Sequence, residues 1–172
     1  ERHRELSQLY DFTSAMGDAQ LDGRVLPTLL AQARDLMHAE RASLLIDGGD
    51  GDLLSVSTES VGGLQPAGTA ERTIHAAAHR HGEPMIVNGA GIDDAQWLEA
   101  AGAVDLLVAP LAGSSGVIGT LVVADRSGSV RGFGADDARL FATLANHAGV
   151  SLENDRLVVR LRDKARESEH RS

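Results

Sequence analysis

Cysteine is absent from the 172-residue chain. This absence excludes a disulfide framework, thiolate metal sites, a catalytic thiol and the thioether attachment of a chromophore. It also fits a reducing compartment, and we therefore expect a cytoplasmic protein.

Aromatic residues, positive charge and long hydrophobic runs are also scarce. Phe, Tyr and Trp make up 3% of the chain, and 16 Lys and Arg stand against 25 Asp and Glu, a net charge of −9. An acidic chain with few stacking side chains is a poor binder of nucleic acid. Apolar runs such as 106–112 are too short to span a bilayer, so we expect no membrane insertion, and no secretory signal opens the chain. The chain begins with Glu1 and is interpreted as part of a longer protein.

Hydrophobic periodicity predicts an α+β fold. Helical spacing covers 1–16, 22–38, 70–81, 93–100 and a long final helix that starts at Asp136 and extends beyond Arg166. Short apolar or alternating segments at 41–46, 53–58, 83–87, 105–111 and 117–124 predict strands, and the last two are apolar on both faces. We expect a central antiparallel sheet of about five to six strands, with helices on both faces and long terminal helices.

Three ordered motifs in the second half carry a family resemblance. The segments 105–111 (DLLVAPL) and 116–121 (GVIGTL) are followed by Phe133, Asp136 and the helical stretch 144–154 (LANHAGVSLEN). This order resembles the C-terminal half of GAF domains, and 39–42 (AERA) and 82–84 (GEP) are similar to their N-terminal half. The resemblance implies a GAF domain over 18–157, an N-terminal dimerisation and signalling helix over 1–17, and a linker helix over 158–172 that leads to an output domain.

The ends of the chain carry a narrower resemblance. The segments 9–13 (LYDFT) and 152–161 (LENDRLVVRL) are similar to GAF domains of actinobacterial proteins in which a diguanylate cyclase (GGDEF) domain, often with a phosphodiesterase (EAL) domain, follows. The resemblance implies that this segment regulates such an output domain and is not itself an enzyme. A sensor histidine kinase is the alternative output.

Three known types of GAF domain have no counterpart in this sequence. The absence of cysteine excludes a covalently attached bilin and the cysteine-dependent reduction of methionine sulfoxide. The N-K-x-F-D-E pattern of cyclic-nucleotide-binding members is not found, and no G-x-S-x-G or phosphate-binding loop is present. We predict no catalytic residue, and the sequence does not identify a cofactor.

His75, His79 and His81 raise the question of a metal or haem. Histidines four residues apart on a helix share one face and can bind a metal, and haem-binding GAF domains use a histidine ligand. A solvated helix face gives the same spacing, and this interpretation is favoured because no acidic third ligand is fixed nearby.

A pocket between the sheet and the third and fourth helices is implied by the resemblance. The only tryptophan lies on the short helix that covers it, and alternation places three strand residues on its floor. The alternatives are ordinary packing for the tryptophan, and capping roles for the aspartates. The candidate pocket residues are His75, Asn88, Asp94, Trp97, Asp105, Val108, Thr120 and Val122.

Two heptad-like seams predict a homodimer. Apolar residues recur at spacings of three and four on the first and last helices, and an asparagine within such a seam fixes the register of a coiled coil. The seam residues are Leu6, Leu9, Thr13, Met16, Val150, Asn154, Leu157 and Leu161. The predicted function is a dimeric sensory domain that responds to an unknown small molecule. A dimerisation scaffold without a ligand is the alternative.

Overall fold

The computed structural model describes residues 25–47, 52–59, 64–114, 116–127 and 132–154. Within these ranges it contains four helices: α1 (Val25–Leu36), α2 (Thr69–His81), α3 (Asp94–Ala101) and α4 (Ala135–Glu153). The six strands of the same ranges are β1 (Ala39–Asp47), β2 (Leu53–Ser57), β3 (Gln65–Pro66), β4 (Met85–Val87), β5 (Leu106–Gly113) and β6 (Gly116–Arg126).

The six strands form one antiparallel sheet in the order β3-β2-β1-β6-β5-β4. β5 and β6 are joined by a tight hairpin, in which Gly113 pairs with Gly116. β1 and β6 pair over most of their length although they are far apart in sequence. The longest strands therefore lie at the centre of the sheet, and the short strands β3 and β4 are its edges.

Alternating residues of β6 supply both layers of the core. Leu121 and Val123 belong to the cluster that also contains residues of α1 and α4. Val122 and Ala124 belong to the cluster formed with α2 and α3. This arrangement explains why the strand is apolar at successive positions, since both of its faces are covered.

Gly149 allows α4 to lie close against the sheet. A Cβ atom at this position would lie 2.5 Å from the carbonyl oxygen and 3.1 Å from the nitrogen of Ala112 in β5. Phe141, Leu144 and Ala148 of the same helix are fully or almost fully buried. The glycine therefore lets the helix backbone approach the strand backbone in a way that no other residue permits.

The start of α2 differs from the sequence expectation by one residue. The sequence predicts a helix that begins at residue 70, and in the structure it begins at Thr69. In the structure Gly68 is the N-cap, and its backbone N–H donates to Glu71 Oε1 at 2.9 Å. Glu71 is thus the third residue of the helix and completes the side-chain half of a capping box.

The predicted fold class is confirmed, with helices on both faces of a six-stranded antiparallel sheet. The structure adds β3, which is not among the strands predicted from the sequence. Helix α4 is 19 residues long as far as it is described, and the predicted helix over 1–17 and the linker over 158–172 lie outside the described residues. No described helix has the combination of length and apolar composition needed to cross a membrane.

Candidate ligand cavity

A cavity of about 400 Å³ lies between the sheet and the helices α2 and α3. Its floor comes from β1, β2, β5 and β6, and its cover from the first two turns of α2 and the second half of α3. The lining residues with polar or charged side chains are Arg41, Ser43, Ser55, Ser57, Glu59, Thr69 and Glu71. This volume is at the lower end of the range of small-molecule sites.

The strand register explains the composition of the floor. Ser43 of β1 pairs with Ser57 of β2 on one side and with Val122 of β6 on the other. Val122 in turn pairs with Val108 of β5. The floor therefore changes from hydroxyl groups to hydrocarbon across the sheet.

Trp97 forms part of the cover and is 7% exposed. Its indole N–H is buried and has no acceptor among the described residues. A buried donor without a partner is uncommon because it loses its hydrogen bonds to water without compensation. Packing alone therefore accounts incompletely for a tryptophan at this position.

Arg41 connects the floor of the cavity to its cover. The Nη1 atom donates to the Ala101 carbonyl at 3.0 Å, and Nη2 donates to the Gly102 carbonyl at 3.2 Å. Nη2 also lies 3.1 Å from Asp125 Oδ2 in an ion pair. The arginine caps the C-terminus of α3, where a positive charge is favourable, and its own charge is balanced by Asp125.

Asp94 stabilises the loop that precedes α3. One carboxylate oxygen, Oδ2, accepts hydrogen bonds from the backbone N–H groups of Asn88, Gly89 and Gly91 at 3.2, 3.1 and 3.0 Å. Asp94 is 7% exposed, and the exposed Asn88 accepts through Oδ1 from the N–H of Ala90. Both side chains are therefore engaged in loop geometry rather than in lining the cavity.

Asp105, directly before β5, also accepts hydrogen bonds from backbone N–H groups of a neighbouring segment. Its Oδ2 accepts from the backbone N–H of Phe133 at 3.0 Å, and its Oδ1 accepts from that of Arg126 at 3.4 Å. The carboxylate is buried and connects the end of β6 to the segment that leads into α4. It thus positions the chain between the last strand and the last helix.

His75 of α2 and Thr120 of β6 form a polar pair between the helix and the sheet. Nδ1 of His75 lies 2.7 Å from Oγ1 of Thr120, whose side chain is 0% exposed. Burial lowers the pKa of His75 below 6.5, and His79 lowers it further, while the negative charge of Asp47 opposes both effects. A neutral imidazole with its proton on Nε2 accepts a hydrogen bond at Nδ1 from the hydroxyl group of Thr120.

The lowered pKa of His75 predicts a loss of stability in mild acid. The unfolded chain, with a His pKa of 6.5, binds more protons than the folded chain once the pH falls below that value. The contribution of neutral His75 is therefore complete above 6.5 and decreases as the pH falls towards the lower folded-state pKa. Urea unfolding on both sides of pH 6.5 should show a smaller decrease for His75→Gln than for the wild type. His81→Gln, at an exposed position, is the control, and an unchanged slope in His75→Gln would contradict the prediction.

The predicted pocket residues fall into three groups. Trp97 and Val122 line the cavity. His75, Val108 and Thr120 lie in the same layer between the sheet and α2, next to the cavity. Asn88 and Asp105 lie in loops, and Asp94 is the first residue of α3, with its carboxylate bonded to the preceding loop. The cavity residues Arg41, Ser43, Ser55, Ser57 and Glu71 were not among the predicted ones, although polar residues at alternate positions of the first two strands were a usable signal.

The described part of the dimer seams comprises Val150 and Asn154. Val150 is 60% exposed on α4, and Asn154 is the exposed residue at the end of this helix. Leu6, Leu9, Thr13, Met16, Leu157 and Leu161 lie outside the described residues. The exposure of Val150 shows that this side chain does not pack on its own sheet.

Metal ligation was one interpretation of the histidines in α2. His75 contacts Thr120, whereas His79 and His81 are exposed. Within the described ranges, no group of three His, Cys, Asp or Glu side chains is arranged to hold a metal ion. The residues that line the cavity provide hydroxyl groups, two glutamates, one arginine that is paired with Asp125, and an apolar wall.

Comparison with known proteins identifies the fold. The sequence model of the GAF domain family matches residues 23–152, and the chain therefore belongs to this family. GAF domains are regulatory sensory domains found in signalling proteins. The match includes every described helix and strand apart from the last residue of α4.

Solved structures with the same fold come from proteins of different activity. The GAF domain of a phosphoenolpyruvate-protein phosphotransferase from Coxiella burnetii aligns with a TM-score of 0.67 and 19% identity, over 89% of this chain and 95% of that one. The GAF domain of a putative sensor histidine kinase from Pseudomonas syringae pv. tomato aligns with a TM-score of 0.59 and 21% identity, over 95% and 94%. The free methionine-R-sulfoxide reductase from Neisseria meningitidis, solved with its substrate, gives 0.65 and 18%, over 89% and 90%. No curated protein sequence matches the chain.

Proposed function

We propose that this GAF domain is the sensory part of a cytoplasmic signalling protein and binds a small molecule in the cavity beneath α2 and α3. The cavity itself is the observation that carries the proposal. Its volume of about 400 Å³ and its mixture of hydroxyl, charged and apolar lining are suited to a small ligand. A domain that served only as a scaffold would be expected to fill this space with side chains.

A cavity-filling substitution tests ligand binding. Ser43 is half-buried at the centre of the floor, so the phenyl group in Ser43→Phe is expected to occupy the cavity. Compounds in a small-molecule library that raise the Tm of the wild type should leave the Tm of Ser43→Phe unchanged, because a ligand stabilises only the state that binds it. Ser114→Phe, at the exposed hairpin tip, is the control and should respond like the wild type. Equal responses of the wild type and Ser43→Phe would place binding elsewhere, and a library without any stabilising compound would favour the scaffold.

We further propose that the domain acts as a homodimer through its terminal helices and controls a diguanylate cyclase or phosphodiesterase domain. The support is the exposed Val150 on α4 together with the heptad-like seams and the resemblance of 152–161 to segments that precede GGDEF domains. Ligand binding regulates such an output only if the two packings of the helices bind the ligand with different affinity. A histidine kinase is the second candidate for the output domain, since the GAF domain of the putative sensor histidine kinase from Pseudomonas syringae pv. tomato shares the fold.

A charge placed on α4 tests the dimer. We expect the wild-type chain to sediment as a dimer and Val150→Glu to be monomeric, because a carboxylate in an apolar seam loses its hydration. Val104→Glu is the matched control, since Val104 is 82% exposed and lies next to β5 rather than on α4. A monomeric wild type, or a Val150→Glu variant that remains dimeric, would contradict the proposed interface.

A further inference from the structure

The cavity has a polar side and an apolar side. Three serines of β1 and β2 line it at one end, together with Glu59 and Glu71. The other end is formed by hydrocarbon and one indole, from Ile74, Trp97, Ala100, Leu106, Val122 and Ala124. A ligand that fills the space would therefore need one polar and one apolar end.

The polar side carries an excess of negative charge. Arg41 is the only basic residue of the lining that the structure describes, and its charge is already balanced by Asp125 at 3.1 Å. Glu71 accepts hydrogen bonds from the Ser55 hydroxyl at 2.6 Å and from the N–H of Gly68 at 2.9 Å, both of which are neutral donors. No described Lys, Arg or His forms an ion pair with Glu59 or Glu71.

The preference for one sign of charge follows from this arrangement. Glu71 is half-buried, so the negative charge at this end is less screened than it would be in open water. A ligand carboxylate or phosphate at the same end would be repelled, and Arg41 has no unbalanced charge to attract it. A ligand ammonium group would find two carboxylates and the serine oxygens as acceptors.

We propose that the cavity selects an amphipathic organic cation, with its ammonium group at the Glu59–Glu71 end and its apolar part against Trp97. This inference depends on the proposed function, because it assigns a ligand class to the same cavity. The indole provides an aromatic surface for the apolar part, and the row from Ser57 through Ser43 to Val122 sets the direction of the ligand across the strands.

Trp97 provides the measurement, because it is the only tryptophan of the chain. The probes are 2-phenylethylammonium and 3-phenylpropanoate, which share the same apolar part and differ in the sign of the charged group. At low ionic strength we expect the ammonium probe to change the Trp97 fluorescence with a Kd at least about tenfold lower than that of the carboxylate probe. A Kd for the carboxylate that equals or is lower than that of the ammonium overturns the inference.

Charge-neutralising variants locate the effect. Glu71→Gln keeps an oxygen that accepts from Gly68, and Glu59→Gln alters an exposed residue, so both should fold as shown by an unchanged far-ultraviolet spectrum. Each should weaken the ammonium probe several-fold and leave the carboxylate probe unchanged or slightly tighter. Glu83→Gln removes the same charge from an exposed position outside the cavity and should have no effect. Equal effects of all three variants would show a response to net charge alone and overturn the inference.

The outcomes separate this inference from the proposed function. Tighter binding of the carboxylate, abolished in Ser43→Phe, would retain the ligand cavity and reject the cationic class. The same conclusion would follow if neither probe bound but a library compound stabilised the wild type and not Ser43→Phe. Absence of any ligand in both experiments would reject the cationic class and the sensory proposal together.

Discussion

Gly149→Ala is expected to lower the free energy of unfolding by about 2–3 kcal/mol, the cost typical of overpacking a core. Helix propensity alone predicts the opposite, because alanine in the interior of a helix is about 1 kcal/mol more favourable than glycine. The contact with β5 decides the sign: the new Cβ would lie 2.5 Å from the carbonyl oxygen of Ala112, and this neighbour is backbone and cannot rotate away. Chemical denaturation of the two proteins measures the difference.

Gly134→Ala is the control for this substitution. Gly134 is the N-cap of α4, and the nearest atom to its added Cβ is Asp137 Oδ2 at 4.0 Å, an ordinary contact. The change is expected to cost less than about 1 kcal/mol, because alanine is a poorer N-cap than glycine but meets no steric conflict here. A stability of Gly149→Ala equal to or above that of the wild type would show that α4 does not pack closely against β5.

Asp94→Ala is expected to lower the free energy of unfolding by about 2–4 kcal/mol, since three backbone donors lose a charged acceptor at once. The three hydrogen bonds, all to Oδ2, hold the loop over 88–91 against the start of α3. Loss of this anchor should also loosen the cover of the cavity, and the Trp97 fluorescence should shift towards that of a more exposed indole.

Asp94→Asn separates the hydrogen bonds from the charge. The amide oxygen can take the place of Oδ2 and accept from the same three N–H groups, so at least half of the lost stability should return. Asp93→Ala is the positional control, because Asp93 is exposed and its side chain forms no capping hydrogen bond. Equal stability of Asp94→Ala and Asp93→Ala would contradict the role assigned to Asp94.

The sequence predicts the layers of this fold because each element has a clear period. β5 and β6 are apolar at successive positions, which indicates strands that are covered on both faces, and they lie at the middle of the sheet. Gly82 and Gly102 end α2 and α3 in the left-handed conformation, at φ of 74° and 64°. These features are local, and a single sequence is sufficient to detect them.

Features that depend on tertiary contacts could not be predicted in the same way. β3 is only two residues long and exists through its pairing with Leu54 and Ser55, which no periodicity shows. The start of α2 depends on Glu71, which bonds both Gly68 and Ser55, so a neighbouring strand helps to set the helix start. The cavity has the same origin: Ser43 and Ser57 face each other only because of the register between β1 and β2.

The two attachments of α3 have a consequence for the size of any ligand. Asp94 holds the beginning of the helix to the loop before it, and Arg41 holds its end to β1 and Asp125. Because both ends of α3 are attached to the rest of the domain, an outward rotation of the helix would break these hydrogen bonds. The attachments therefore fix the distance between Trp97 and the strands. The size of the cavity, about 400 Å³, therefore limits which molecules can bind, in addition to the limit set by their charge.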